Sequence, residues 1–289
     1  MRRTHSAYLY VLPMALIMVL LVYLPIIITF GYSLMNINLL RPAPLTLVGL
    51  RNYATILKDP AFRTAALNSL GITGVVLLLT FALGLVFALL LNKDSPIKGI
   101  LTGVAIIPWA MPGVVNGIIW RWIFHPNFGL LNSILLKSGG IEKPIQWFSD
   151  RTMVLIIVGI TVAWSAIPLA AVTLLSGLQS IPGQLYEAAE IDGCGIMGRF
   201  THITLPLLRP AFGIVLTTTT ISAINVLDQI VSLVGMSSAN SSLMTEIYLR
   251  TFKYMRFSEG SALTYLVMIV CGIISVFYIR RVYTKVRYI

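Results

Sequence analysis

Six long apolar stretches, separated by polar connectors, organise this chain. They run at about 9–34, 66–91, 100–124, 153–175, 209–234 and 261–280, and each approaches or exceeds the ~20 residues that a helix needs to cross a bilayer. The pattern predicts an all-α polytopic membrane protein of about six transmembrane helices, with residues 1–289 forming one membrane domain. One connector, at about 176–208, is moderately polar and punctuated by glycine. Its core is YEAAEIDGCGIMGRFTHITLPLLRP, from Tyr186 to Pro210.

Composition sharpens the class. Hydrophobic residues make up 57% and charged residues 11%, with a mean hydropathy of +0.88, against about 25% charged residues in soluble domains. Six spans and their loops use the 289 residues, which leaves no room for a large soluble domain. No Gly-x4-Gly-Lys-Ser/Thr phosphate loop is present, so any ATP hydrolysis belongs to another subunit. The first run begins at Arg2 and Arg3 like a signal peptide, yet it is too long for one and lacks a small-residue cleavage site, which predicts a retained helix. Cys194 and Cys271 fall in a loop and a span, with no metal spacing and no pairing partner.

Orientation follows from the tails. Arg2 and Arg3 at one end, and Arg280, Arg281, Lys285 and Arg287 at the other, flank membrane spans. Basic flanks favour the cytoplasmic side, which puts both termini there, makes the number of spans even and makes the 176–208 loop cytoplasmic. The net charge of +11 then reflects topology and contact with lipid headgroups rather than nucleic acid.

Within that loop, Ser180 as an N-cap, Pro182 in the first turn and Gly193 as a left-handed stop predict a short helix over about 182–192. Ala188 and Ala189 leave part of its surface nearly bare, while Glu187 offers a charge to an Arg or Lys of a partner. An ordinary interfacial connector would have much the same composition.

Groups able to meet a solute are fewer. Asp228 is the one acidic residue inside a predicted span, where an ionisable side chain is costly and commonly functional. Spacings of three and four put Asn225 on a helical face with Asp228 and Gln229. The alternative is that Asp228 sits near a helix end and bonds locally. In the third run, Pro108 and Pro112 predict a bend or break, and Asn116 and Trp120, one turn apart, offer a hydrogen bond and an aromatic surface. Trp120 and Trp122 also suit an interfacial aromatic belt, and Trp164, Ser165 and Pro168 admit the same two readings. The Thr217–Thr220 run is expected to bond its own backbone. His5, His125 and His202 have no metal-ligand spacing, and no nucleophile, base and orienting group are linked by a motif, so the chain reads as no enzyme and as holding no metal.

Glu187, Ala188, Ala189, Gly193, Ile203, Leu205 and Pro206 reproduce the spacing EAA-x3-G-x9-I-x-L-P. This resembles the signature of the inner-membrane permease subunits of ATP-binding-cassette (ABC) importers, with Asp192 and Gly193 giving the family's DG turn. VGLRNY at 48–53, WRWIFHPNFGLL at 120–131, LQSIP at 178–182 and NVLD at 225–228 look like the maltose-type sugar and glycerol-phosphate branch. Cys194 and Gly195 stand where many relatives have other small residues, a mild departure.

The resemblance implies a type I importer architecture with a coupling helix between spans 4 and 5. Glu187 would pair with a basic ATPase residue, Ala188 and Ala189 would permit close packing, and Gly193 would provide the turn. The implied partners are a second permease, two ATPase subunits that bind ATP and magnesium, and an extracytoplasmic sugar-binding protein, with no cofactor on this chain. The implied location is a bacterial or archaeal inner membrane. An ion-driven secondary transporter is the rival from another class, but such proteins show internal repeats and paired intramembrane charges, whereas here Asp228 stands alone. A structural subunit that carries no solute is a second rival, and neither accounts for the signature.

Overall fold

The computed structural model describes residues 3–40, 44–93, 95–237 and 239–283, with side chains described from Tyr10 to Arg281. Arg2, Lys285 and Arg287, used above to orient the chain, lie outside the described residues. The architecture is helical: α1 (Arg3–Met18), α2 (Leu24–Ser33), α3 (Arg51–Lys58), α4 (Pro60–Leu91), α5 (Lys98–Ala110), α6 (Gly113–Ile123), α7 (Leu130–Lys137), α8 (Arg151–Gln179), α9 (Gly183–Ile191), α10 (Ile196–Arg199), α11 (Leu205–Leu207), α12 (Arg209–Ile224), α13 (Asp228–Val234), α14 (Leu243–Tyr248) and α15 (Phe257–Tyr283). Among the described residues the extended pairing amounts to an isolated bridge, Met35 to Leu47.

Four helical stretches are long and apolar enough to cross a membrane: Tyr10–Ser33, Pro60–Leu91, Arg151–Gln179 and Phe257–Arg281. Two bent pairs, α5 with α6 at 96° and Ile196–Leu207 with α12 at 62°, bring the total to six if each is one span. The six apolar runs therefore have helical counterparts, but two are not straight rods. Pro112 is the first cause. It takes extended backbone (φ −57°, ψ 140°) just before α6, where Met111 is also extended, and so separates two helices that the sequence merges into one run. The fifth run differs at both ends. Helix begins at Ile196, inside the predicted loop, and ends at Ile224, short of the predicted limit at 234.

Prolines also explain two wide turns. π-Helical turns occupy Val19–Tyr23 and Phe200–Thr204, and each stands just ahead of a proline, Pro25 or Pro206. A proline inside a helix lacks the N–H for its own bond and crowds the carbonyl four residues back. Opening the turn to i→i+5 bonds, Leu24 N–H to Val19 O and Leu205 N–H to Phe200 O, accommodates the ring without ending the helix.

The chain divides into two compact units. The first joins Met1–Arg63 to Glu246–Ile269. In it Asn52 Nδ2 donates to Ser33 O and Met35 O, at 2.8 and 2.9 Å, and Leu39 N–H donates to Met255 O. Its buried centre is Arg250, 3% exposed, which pairs with Asp59, Glu246 and Glu259. The second unit is Thr64–Thr245 with Val270–Ile289, and α8 is its spine. At one end Val154, Ile157, Val158 and Val162 pack with Ile72 and Val76 of α4 and Ile230 and Leu233 of α13. At the other, Leu174, Leu175 and Leu178 pack with Ala88 and Leu91 of α4 and Ala211 and Val215 of α12. Gly177 permits that second contact, since a Cβ there would lie 2.9 Å from Ala211 Cβ and from Leu208 Cδ2.

Candidate functional site

Two places in the second unit carry the residues singled out from the sequence. The first is α9. Its start differs from expectation: Pro182, in extended backbone, precedes the helix as its N-cap residue. Ser180 instead closes α8, its hydroxyl donating to Gly177 O at 2.7 Å. Gly193 does end the helix in the left-handed region, at φ +76°. Gly193 N–H donates to Glu190 O at 3.0 Å and Cys194 N–H to Ala189 O at 2.8 Å, the paired bonds of a Schellman motif that satisfy the last carbonyls. An L side chain at 193 would pay for that backbone, so the glycine is set by the turn.

Glu187, Ala188 and Asp192 are exposed, and Ala189 is half-buried. Around them stand exposed apolar side chains, Ile191 at 87%, Ile196 at 82% and Met197 at 73%. Two side-chain contacts tie the helix to the chain that follows it. Tyr186 hydroxyl meets Thr204 Oγ1 at 2.9 Å, and Arg199 Nη1 donates to Glu190 Oε2 at 2.9 Å. Sequence reasoning singled out Glu187, Ala188 and Ala189 and missed these ties, because both partners lie beyond the helix, nine and eighteen residues on in the chain.

The second place is a cavity of about 710 Å³ among α5, α6, α8, α12 and α13. Asn225, Asp228 and Gln229 all line it, but not as one helical face. Helix α12 stops at Ile224, Asn225 is its C-cap, and α13 starts at Asp228, so the cluster is made by a chain break. Ser242 hydroxyl holds the break by donating to Val226 O at 2.8 Å. Asp228 is exposed to the cavity in the first turn of α13, and among the described residues no cation or hydrogen-bond donor pairs with its carboxylate.

Asn116 and Trp120 are placed elsewhere. Asn116 is fully buried, its Nδ2 donating to Thr161 O at 3.1 Å. Trp120 stacks on Phe124 and meets Trp164 edge-on, with ring centroids 5.7 and 6.0 Å away. Asn116 Oδ1 and Trp120 Nε1 have no hydrogen-bond partner among the described residues. Both residues hold α6 against α8, and neither is among the cavity lining. Their one-turn spacing fixed only that they share a face, and that face packs on α8. Trp109, Ser165, Thr218 and Ser222 take their place on the wall. Thr217 and Thr218 bond the carbonyls of Gly213 and Ile214, four residues back, as their position in a helix predicts.

A contact the sequence displays but did not announce sets the wall. Gly113 and Gly117 are one turn apart on α6 and face α13. A Cβ at Gly117 would lie 1.8 Å from Ser232 Oγ, and one at Gly113 would lie 2.9 Å from Asp228 Cβ. The small-xxx-small spacing lets the two helices meet at backbone distance and lays Asp228 against the start of α6.

Residues 80–288 match the family model described as binding-protein-dependent transport system inner membrane component. The chain is 32% identical over 283 residues to a trehalose/maltose transport system permease protein of Thermococcus litoralis, covering 96% of this chain and 94% of that one. It is 30% identical to a sulfoquinovosyl glycerol transport system permease protein of Agrobacterium fabrum, over 96% and 91% of the two chains. It is also 31% identical to a trehalose transport system permease protein of Mycobacterium tuberculosis, over 97% and 89%. Among solved structures, a bacterial ABC transporter involved in import of the acidic polysaccharide alginate shares the fold, with a TM-score of 0.83 at 20% identity over 99% of this chain and 98% of that one. The chain belongs to the family of inner-membrane components of binding-protein-dependent transport systems.

Proposed function

We propose that this protein is the permease subunit of an ABC importer that moves a sugar or related polyol delivered by an extracytoplasmic binding protein. It works beside a second permease on two ATPase subunits. ATP and magnesium are handled by those ATPases, and this chain hydrolyses nothing. The sugar class is supported by the names of the relatives, which transport trehalose, maltose and a sulfoquinovosyl glycerol.

The observation that carries the coupling role is α9. It is largely exposed, tied to the following chain through Tyr186 and Glu190, and closed by Gly193. In this reading Glu187 pairs with a basic residue of the ATPase, and Ala188 and Ala189 let that partner approach the backbone. Ile191, Ile196 and Met197 fill its groove, and Asp192 with Gly193 forms the turn. Closure of the ATPases then pulls on α9 and, through the Tyr186 and Arg199 ties, on the helix leading into α12. The cavity receives the solute, with Asn225, Asp228 and Gln229 as the hydrogen-bonding wall.

The same reading puts α9 and both termini in the cytoplasm, with Arg280 and Arg281 at the end of the last span. An ion-driven secondary transporter would have no use for a docking helix of this kind.

The test is affinity purification of the tagged chain from its native membrane in mild detergent. Co-purification of an ATPase, a second permease and a solute-binding protein is the expected result. Recovery of the chain alone or as a homo-oligomer would overturn the assignment.

A further inference from the structure

We infer that Asn68 and Arg151 are positioning residues for transport: together they fix the segment 239–243 and, through Ser242, the non-helical stretch that carries Asn225. The inference rests on the proposed reading that the cavity receives the solute, and it adds residues that act on the wall from outside the lining.

Asn68 is fully buried on α4. Its Nδ2 donates to Ala239 O at 3.0 Å and to Ser241 O at 2.9 Å, while its Oδ1 accepts from Arg151 Nε and Nη2 at 3.0 and 2.7 Å. Two donations and two acceptances use the whole capacity of the amide. The next residue, Ser69, accepts from Leu243 N–H at 2.8 Å. Two neighbours on one helix thus hold backbone groups at 239, 241 and 243, in a segment that lies outside any helix. The segment is also fastened to the wall. The fully buried Ser242 hydroxyl donates to Val226 O at 2.8 Å, and Val226 lines the cavity beside Asn225, as does Met244.

Local structure does not account for Arg151. It is the first residue of α8, where the positive end of the helix dipole disfavours a cation, and Asp150 already caps that helix by accepting from Met153 N–H. Among the described residues its guanidinium pairs with no carboxylate. It is turned instead onto one neutral oxygen eighty-three residues away in the chain. Bonds from a cation are the stronger kind, and they polarise the amide so that its own donations to Ala239 and Ser241 strengthen. Arg151 is exposed, so its removal weakens this latch without opening a core.

The experiment pairs hydrogen–deuterium exchange of the purified permease and ATPase complex with uptake by cells that hold the binding protein. Wild type is compared with Arg151→Ala, Arg151→Lys and Asn68→Asp, the last of which keeps an acceptor for Arg151 and removes both donations. Uptake uses radiolabelled trehalose, maltose and sulfoquinovosyl glycerol, the compounds in the relatives' names. Arg151→Ala and Asn68→Asp should speed exchange at 239–245 and 225–231 by at least about tenfold, leave exchange in α9 at the wild-type rate, and raise KM by at least about threefold at unchanged kcat. Arg151→Lys, which still donates to Asn68 Oδ1, should restore both readings to near wild type. A purely structural role would lower the amount of folded transporter and leave KM alone. Wild-type exchange at 225–231, or a wild-type KM, in Arg151→Ala would overturn the inference while the sugar assignment stands, and this variant decides the matter should Asn68→Asp fail to fold. If wild type imports none of the three compounds, the sugar assignment fails, and the inference, which needs a solute wall, fails with it whatever the exchange shows.

Discussion

The hydroxyl of Tyr186 lies 2.9 Å from Thr204 Oγ1, which joins the exposed helix α9 to the segment that re-enters the apolar part of the chain. With the Glu190–Arg199 pair, it is the link through which the proposed coupling would pass a pull on α9. Removing the link by Tyr186→Phe costs about 1 kcal/mol of docking rigidity. It should lower ATP-dependent uptake several-fold while ATPase binding, measured by co-purification, persists.

Glu187→Ala and Gly193→Asp test the docking itself. Loss of a charged hydrogen bond at an interface is worth about 1.5–3 kcal/mol, so Glu187→Ala should weaken ATPase association by at least about tenfold. Gly193→Asp forces a side chain into φ +76° at a cost of about 1–2 kcal/mol and unseats the end of the helix. Both variants should insert normally; wild-type uptake in both would remove α9 from the coupling role.

The α6 to α13 seam predicts a size limit. Gly117→Ala places a carbon where Ser232 Oγ now sits, and overpacking of this kind costs about 1–3 kcal/mol. Thermal stability of the detergent-solubilised protein should fall, and the double variant Gly117→Ala with Ser232→Gly should regain part of it.

Cavity and core residues should separate in kinetics. Asn225→Ala removes a polar group from the cavity wall, and uptake should show a raised KM with protein levels unchanged. Trp120→Ala removes a half-buried aromatic packed on Phe124 and Trp164, at a cost of up to about 3 kcal/mol, and should lower the yield of folded protein. A raised KM for a well-folded Trp120→Ala would return Trp120 to the solute path.

Arg250 gathers three carboxylates while nearly excluded from water. Arg250→Met strands Glu246, itself 3% exposed, and should cost about 3–5 kcal/mol. The cluster also gives an acid dependence. Burial alone would raise the Asp59 pKa, but the Ala61 N–H and the charges of Arg250 and Arg256 outweigh it, and the pKa is lowered. A lowered carboxylate contributes stability that is present above its unfolded value, about 3.9, and is lost as pH falls through the folded one. Acid unfolding should therefore begin at higher pH in Asp59→Asn than in wild type.

Run length and proline position made the helices legible in the sequence. The break at Pro112 follows from the missing N–H, and the stop at Gly193 from glycine's freedom at positive φ. The group proposed for coupling could be singled out because Glu187, Ala188 and Ala189 are neighbours in sequence. Asn225 with Asp228 and Gln229 was legible for a reason that proved different: helical spacing suggested one face, whereas the three meet across the end of α12. Asn116 and Trp120 mark the limit. Their spacing shows that they share a side of α6, but which side meets water is decided by Thr161 and Trp164, more than forty residues away. Tyr186 with Thr204 is the same kind of tertiary fact.

The fit of Ser232 onto Gly117 has a mechanical consequence. Two helices that touch with no carbon to spare cannot slide past each other by even a fraction of a turn, so α6 and α13 form one stiff plate. Asp228 and Gln229 ride on that plate at a fixed position relative to Gly113. The plate ends at the non-helical stretch 225–227, because α12 beyond it packs through Ala211 and Val215 on α8 instead. Ser242, bonded to the carbonyl of Val226, fastens the edge of the plate there.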